Sequence, residues 1–152
     1  MTTMTEQATQ VYAVFIRATP EQVWDAITKP EFTTKYFHGT KIESTFEPGA
    51  PYLSVAGDET MVDGEIIESD PPKMLQHTWR ALWNSETAAE PHSRVTWEIE
   101  PQEGGVTKLT VTHDQLEAAP KTAVSVAGGW SFVLSGLKTL LETGKPLSAE
   151  GM

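Results

Sequence analysis

Between residues 39 and 116, apolar side chains recur at every second position over several short segments. Lys73–Leu82, Arg94–Glu100 and Val106–Asp114 alternate most regularly, and Gly and Pro residues separate such segments. This period is typical of antiparallel strands with one face on a core and one face in water. The residues predicted to face inward are Leu75, His77, Trp79, Ala81, Val95, Trp97, Ile99, Leu109, Val111 and His113.

The segments before this region predict one strand and two short helices. Gln10–Ala18 is rich in β-branched and aromatic residues at both parities, which predicts a strand covered on both faces. Thr19-Pro20-Glu21-Gln22 combines a cap, a proline suited to the first helical position and a capping-box glutamine. Pro30 then starts a second short helix, which Gly39 ends.

Helical spacing returns near the C-terminus and predicts one long helix. Val126, Trp130, Val133, Leu137 and Leu141 lie on one face, and glycine and proline at 144 and 146 end the element. Helices that flank a run of strands indicate the α+β class. We expect a single domain over 10–145, with a frayed N-terminus at 1–9 and a tail at 146–152.

The composition restricts the classes of function. The chain has 152 residues, no cysteine and a formal net charge of −10. This charge opposes binding to nucleic acid or to an anionic membrane surface. The sequence contains no run of 18 apolar residues, so it predicts no membrane insertion, and residues 1–10 do not resemble a signal peptide. We therefore expect a soluble, cytoplasmic protein.

Several motifs, in this order, resemble the activator-of-heat-shock-protein-90-ATPase-like family of the START/pollen-allergen-like (SRPBCC) helix-grip superfamily. The resemblance extends from about Val11 to Lys145. The motifs are Val23–Glu31, Gly64–Glu68 with Pro71-Pro72, Thr78-Trp79, Thr110–His113, and Gly128-Gly129-Trp130 with Leu134, Leu137 and Leu141.

The resemblance implies a curved antiparallel sheet of about seven strands wrapped around the C-terminal helix, with an internal cavity between them. This fold hosts lipid carriers, hormone receptors, cyclases and chaperone partners, so the fold alone does not define the chemistry. A chaperone partner and a role in the stress response are also implied. The sequence leaves the oligomeric state open.

Large aromatic side chains on the inward face suggest a pocket for a small hydrophobic or amphipathic molecule. The alternative is that these tryptophans only fill the core. Glycines at 128, 129 and 136 would leave space beneath the helix, and Pro48–Ala56 or Glu117–Gly129 would move to admit the ligand. The candidate ligand-binding residues are Val62, Ile66, His77, Trp79, Trp97, Val111, His113, Trp130 and Leu134.

Two inward histidines are the most specific candidates for polar contacts. His113, and less securely His77, could hydrogen-bond a ligand or titrate near neutral pH. Either could instead be a core histidine bonded to a backbone carbonyl or a buried water. His38 and His92 fall in predicted turns, where we expect solvated side chains.

The residue spacing gives little support for metal or covalent chemistry. No H-x-x-x-H, H-E-x-x-H or G-x-S-x-G motif is present, so we expect no metal, no cofactor and no nucleophilic catalysis. Arg80 would join an inner site only if its strand had the opposite parity. Two alternatives to ligand binding stay open: a stress-related, chaperone-modulating interaction protein, and a cyclase- or dehydratase-like enzyme that uses the same cavity.

Overall fold

A computed structural model describes residues 8–147, which form seven strands and five helices. The predicted frayed ends at 1–9 and 146–152 lie mostly outside the described residues. The strands are β1 Gln10–Ile16, β2 Lys41–Glu43, β3 Pro51–Ala56, β4 Glu59–Asp70, β5 Met74–Ala81, β6 Ser93–Pro101 and β7 Thr107–Asp114. The helices are α1 Pro20–Thr28, α2 Pro30–Tyr36, α3 Ser85–Ala88, α4 Pro120–Val126 and α5 Gly129–Thr143.

The strands form one antiparallel sheet in the order β1-β7-β6-β5-β4-β3-β2. With the two helices after β1 and the C-terminal helix, this confirms the predicted α+β helix-grip fold. Register shifts at Ser54/Val55 and Ile66/Glu68 mark β-bulges, which bend the strands that contain them. At Gly64 the backbones of β4 and β5 approach closely, because this residue has no Cβ: a Cβ there would lie 2.0 Å from the Thr78 carbonyl oxygen.

The predicted inward faces of the central strands are correct. All ten side chains named above for β5, β6 and β7 are buried. Seven of them, all but Ala81 and the two histidines, share a hydrophobic cluster with apolar side chains from α1, α2, α4 and α5. The alternation of inward and outward side chains along these strands is therefore as predicted. The Arg80 side chain accordingly lies on the outer face, where it donates hydrogen bonds to Asp63.

The prediction that β1 is covered on both faces is wrong. Val11 is 60 % exposed and Phe15 is 53 % exposed, whereas Ile16 is fully buried. Because β1 lies at the edge of the sheet and helices cover one face, its other face stays in solvent. The free edge is occupied by side chains of α5: Lys138 Nζ donates to the Phe15 carbonyl at 2.7 Å, and the Arg17 amide donates to Glu142 at 2.8 Å.

The predicted start of α1 is correct. The Gln22 amide donates to Thr19 Oγ1 at 3.1 Å, and Gln22 Oε1 accepts from the Thr19 amide at 2.8 Å, which completes a capping box. Pro30 opens α2 directly after α1 ends. These helices bring Tyr36 and Phe37 against the core, where both are buried.

The predicted single C-terminal helix is two helices. Val126 ends α4, and Gly128, at φ +81, precedes α5. The glycine adopts this left-handed conformation without the steric cost that a Cβ would add. Apolar spacing continues across this break, so periodicity did not reveal it. Residues 120–143 are long and apolar enough to cross a membrane by length and composition, but their buried side chains belong to the core, as in a core helix.

Candidate ligand-binding pocket

A pocket of about 410 Å³ lies between the inner face of β3–β5 and helices α4 and α5. This volume is within the usual range for small-molecule sites, and it is more than twice the roughly 150 Å³ of an apolar cavity that holds benzene. The lining residues are Phe37, His38, Thr40, Ser54, Ala56, Met61, Val62, Trp79, Trp83, Ser125, Val126, Gly129, Trp130 and Val133.

The pocket wall is apolar and aromatic, with a few neutral polar groups. Phe37, Trp79 and Trp130 form a buried aromatic cluster with ring centroids 5.4–6.4 Å apart. The hydroxyls of Ser54 and Ser125 supply polar atoms, and no Asp, Glu, Lys or Arg is among the lining residues. This combination suits an apolar molecule with few polar atoms.

The structure divides the candidate residues into two groups. Val62, Trp79 and Trp130 lie on the pocket wall. The others are buried in the core and are not among the lining residues: Ile66, His77, Trp97, Val111, His113 and Leu134. Among the three glycines expected to leave space, Gly129 lines the pocket, whereas Gly136 faces Tyr36, whose Cβ would lie 3.2 Å from an added methyl group.

His113 is bonded on both ring nitrogens. The Trp130 indole donates to Nδ1 at 3.0 Å, so Nδ1 is unprotonated and Nε2 carries the hydrogen, which it donates to Ser93 Oγ at 2.6 Å. The Ser93 hydroxyl in turn donates a hydrogen bond to the Trp79 carbonyl oxygen at 3.2 Å. Burial, with a smaller contribution from His77, lowers the pKa of His113 to about 3, although Asp114 acts in the opposite direction.

His77 is bonded in a similar way. Its Nε2 accepts from the Trp97 indole at 3.0 Å, and its Nδ1 donates to the Thr78 carbonyl at 2.9 Å. The ring stacks on Tyr52 with centroids 3.7 Å apart. Burial lowers the pKa of His77 to about 4, despite the opposing hydrogen bond to Thr78. The prediction that either core histidine could titrate near neutral pH is therefore wrong, because burial keeps both rings neutral.

Trp79 carries an unused hydrogen-bond donor. Its side chain is 3 % exposed, and its Nε1 has no acceptor within hydrogen-bond distance among the described residues. A buried N–H without a partner costs about 1–3 kcal/mol.

The sequence did not identify the residues at the pocket mouth. His38 is exposed, as predicted for a turn, yet it lines the pocket and its ring stacks on Phe132 with centroids 6.5 Å apart. Partial burial lowers the pKa of His38. Trp83 donates to Ser125 Oγ at 3.3 Å and so connects the end of β5 to α4. Both residues follow regular elements, where periodicity gives no side-chain direction.

Acidic and histidine side chains are dispersed over the surface and the core. Within residues 8–147, no group of three His, Cys, Asp or Glu side chains could hold a metal ion. The closest cluster is on the outer face, where Asp63 accepts from Arg80 at 2.7 Å and contacts His92 Nε2 at 3.0 Å. The Arg80 and His92 contacts outweigh desolvation and lower the pKa of Asp63.

The seven-stranded antiparallel sheet, the terminal helix and the pocket between them define a helix-grip protein. The chain belongs to the family described as Activator of Hsp90 ATPase homolog 1-like protein, whose model matches residues 17–142. The family assignment expected from the motifs is thus confirmed. A search of curated proteins found no match.

Solved structures share the fold at low sequence identity. DynU16, a protein in the dynemicin biosynthetic locus, has a TM-score of 0.77 and 24% identity over 94% of this chain and 50% of its own. CalU16 from Micromonospora echinospora has 0.69 and 21% over 90% and 77%. The Aha1 dimer from Colwellia psychrerythraea has 0.71 and 18% over 90% and 98%. At these identities the likeness establishes the fold alone.

Proposed function

We propose that this protein binds a small hydrophobic or amphipathic molecule in the pocket between the sheet and helices α4 and α5, and that it does so in the cytoplasm. The observation that carries the proposal is the 410 Å³ pocket with an aromatic wall and no charged lining residue.

Burial of apolar ligand surface supplies the affinity. Each 100 Å² removed from water contributes about 2.5 kcal/mol before the entropy cost of binding. Phe37, Trp79 and Trp130 offer flat surfaces for this contact. Orientation of a polar end falls to wall residues such as Ser54 and Ser125, because both nitrogens of His113 and of His77 are already bonded.

The pocket has a mouth beside His38 and Trp83, and α4, which Trp83 contacts through Ser125, is the wall whose movement would widen it. Strand β3 is paired with β2 and β4, so its displacement would break two ladders. Helix α4 is held by side chains: Glu90 accepts from the amides of Lys121 and Thr122 at 2.9 and 2.8 Å, and Trp83 bonds Ser125. We therefore assign the gate to α4, within the expected Glu117–Gly129 segment.

An enzyme of the cyclase or dehydratase kind would need a titratable group in the pocket. His77 and His113 are not among the lining residues and both nitrogens of each ring are bonded, so neither is placed to act as a general base on a ligand. His38 is the titratable side chain among the lining residues, and an enzymatic role would depend on it. A chaperone-modulating interaction is the alternative that the family description suggests. That role would use an exposed apolar or acidic patch on the outside of the protein as the binding site, in place of the pocket.

A thermal-shift screen tests ligand binding. Fatty acids, aromatic compounds and polyketides are added to freshly purified protein, after native mass spectrometry for a co-purified molecule. At 100 times its Kd, a ligand stabilises the fold by about 2.7 kcal/mol, which raises Tm by about 5–10 °C in a domain of this size. If no compound raises Tm and no molecule co-purifies, the interaction role is favoured.

A further inference from the structure

One hydroxyl on the pocket wall takes no part in the hydrogen bonding of the fold. Ser54 lies on β3, where its side chain shares the inward face with Tyr52, and the residue is 2 % exposed. Its backbone is paired with β2 and β4, but its Oγ has no hydrogen-bond partner within residues 8–147. Folding has therefore placed this hydroxyl inside the protein without giving it a partner.

The Ser54 oxygen is nevertheless not sealed inside the protein. In the described part of the chain, the fully enclosed side-chain atoms that lack a partner are Thr33 Oγ1, Tyr52 Oη and Trp79 Nε1. Ser54 Oγ is not among them, so part of this oxygen is accessible, and Ser54 lines the pocket. Because the side chain lies on the inner face of the sheet, the accessible part of the oxygen faces the pocket.

The other hydroxyls and the imidazole of the wall are bonded or lie at the mouth. The Thr40 hydroxyl donates to a backbone carbonyl at 2.6 Å, and Ser125 Oγ accepts from the Trp83 indole at 3.3 Å. His38 is exposed at the mouth. Among the buried lining side chains, Ser54 therefore offers the pocket a hydroxyl that is both accessible and unbonded.

The sheet is irregular directly beside this hydroxyl. Ser54 pairs with Val62, whereas Val55 pairs with Thr60, so Met61 has no partner on β3. This bulge brings the consecutive residues Met61 and Val62 onto the pocket wall, although neighbouring residues of a regular strand face opposite sides. Bulges commonly redirect side chains beside binding sites. The hydroxyl of Ser54 thus lies next to apolar residues that suit the apolar part of a ligand.

The charge of the lining restricts the ligand further. The wall holds no Lys or Arg to neutralise an anion and no Asp or Glu to neutralise a cation. Burial lowers the pKa of His38 at the mouth, so this side chain is neutral at pH 7. A charged group in such a pocket would lose its hydration without gaining a partner of opposite charge. The formal charge of −10 adds a long-range penalty for anions.

We infer that the ligand is an uncharged, largely apolar molecule with a carbonyl or hydroxyl group, and that this group forms a hydrogen bond with Ser54 Oγ. The inference rests on the proposed function, because it concerns the occupant of the same pocket. A hydrocarbon would cover the Ser54 hydroxyl without bonding it, which leaves a buried polar group unsatisfied. Ser54 is therefore the residue that distinguishes a ketone or an alcohol from a hydrocarbon of equal size.

Four probes of nearly equal shape test the inference: acetylnaphthalene, hydroxyethylnaphthalene, isopropylnaphthalene and naphthoate, with the hydroxyl on the carbon next to the ring and all four substituted at the same ring position. We expect wild-type protein to bind the ketone and the alcohol about three- to tenfold more tightly than the hydrocarbon. The anion should bind most weakly. Dissociation constants are measured by titration at pH 7 and moderate salt.

Ser54→Ala should abolish the preference for the oxygen-containing probes while it retains hydrocarbon binding. Because the Ser54 hydroxyl bonds no protein group within residues 8–147, we expect this variant to keep the Tm of the wild type. Thr40→Val is the matched control, because it removes another buried lining hydroxyl, one that already donates to the Phe37 carbonyl. That variant should have a lower Tm but should keep the preference.

The outcomes separate this inference from the proposed function. A preference for the ketone alone or for the alcohol alone that Ser54→Ala removes would support the inference and show whether the hydroxyl donates or accepts. Wild-type protein that binds the hydrocarbon as tightly as both oxygen-containing probes, or naphthoate most tightly, would overturn the inference but leave ligand binding intact. A preference that survives in Ser54→Ala, or that is lost equally in Thr40→Val, would also overturn it. Failure of all four probes to bind would count against the proposed function itself.

Discussion

His77 and His113 are held as neutral imidazoles by tryptophan indoles. Each accepts from an indole N–H and donates to a second oxygen, so each ring has one defined tautomer. Protonation would place a positive charge in the core and would remove the lone pair that the indole needs. The two histidines therefore make stability depend on pH.

We predict that the free energy of unfolding falls between pH 7 and pH 5. The unfolded chain protonates its histidines near pH 6.5, whereas the folded pKa values are about 4 for His77 and about 3 for His113. The stabilisation is thus complete above pH 6.5 and is lost as the pH falls towards these values. The loss by pH 5 is on the order of 2 kcal/mol for each histidine.

Urea unfolding at both pH values measures this change, which lies above the ordinary titration range of carboxyl groups. His113→Asn should lower stability at pH 7 and reduce the difference between pH 7 and pH 5 by about half. Stability of the wild-type protein that is unchanged over this range would contradict the protonation states assigned to the core.

The sequence predicted the direction of these histidines but not their partners. Strand parity places the His77 and His113 side chains inward. The indoles that bond them lie 20 and 17 residues away, so only the tertiary structure brings them together. The same reason explains why Trp79, which is also buried, differs from Trp97 in having no acceptor among residues 8–147.

Helix α4 has no side-chain cap of its own, and Glu90 takes that role from a neighbouring segment. One carboxylate oxygen accepts from the Lys121 amide, and the other accepts from the Thr122 amide and hydroxyl at 2.8 Å each. Partial burial acts to raise the pKa of Glu90, but these hydrogen bonds together outweigh it and lower the pKa. The carboxylate is therefore charged at neutral pH and holds α4 against the pocket.

We predict that Glu90→Gln loosens α4, because an amide N–H₂ would replace one of the two acceptors. Amide hydrogen exchange in residues 121–126 should accelerate by about five- to tenfold, and acetylnaphthalene should associate and dissociate faster with little change in Kd. Global stability should change far less than the exchange within α4.

Glu86→Gln is the control for this variant. Glu86 pairs with the Lys121 ammonium, and both side chains are exposed, so the pair contributes little to stability. Its exchange rates should stay close to those of the wild type. An α4 that exchanges equally fast in wild-type protein and in Glu90→Gln would contradict the gate assigned to this helix.

At the scale of elements, the sequence predicted what periodicity can encode. The inward faces of β5, β6 and β7 and the capping box at Thr19 are as predicted. The coverage of β1 and the break at Gly128 differ from the prediction, because neither the strand order nor a left-handed residue between two helices is encoded in apolar spacing.

In the whole molecule, the inner face of the sheet has two regions: one packs into the core, and the other borders the pocket. Of the nine candidate residues, Val62, Trp79 and Trp130 are on the pocket side. Parity alone could not separate the two groups, since both consist of inward side chains. The separation depends on where α2, α4 and α5 cover the sheet.

The most direct test of ligand binding in the pocket is a titration of the protein with acetylnaphthalene, in which tryptophan fluorescence reports binding. Val133→Phe enlarges a buried wall residue into the pocket, whereas Val124→Phe makes the same change on a side chain that is 62 % exposed and outside the lining. We predict saturable one-to-one binding in the wild type and in Val124→Phe, and at least tenfold weaker binding in Val133→Phe. Binding that is equal in all three proteins would contradict the account, because the molecule would then occupy a surface other than this pocket.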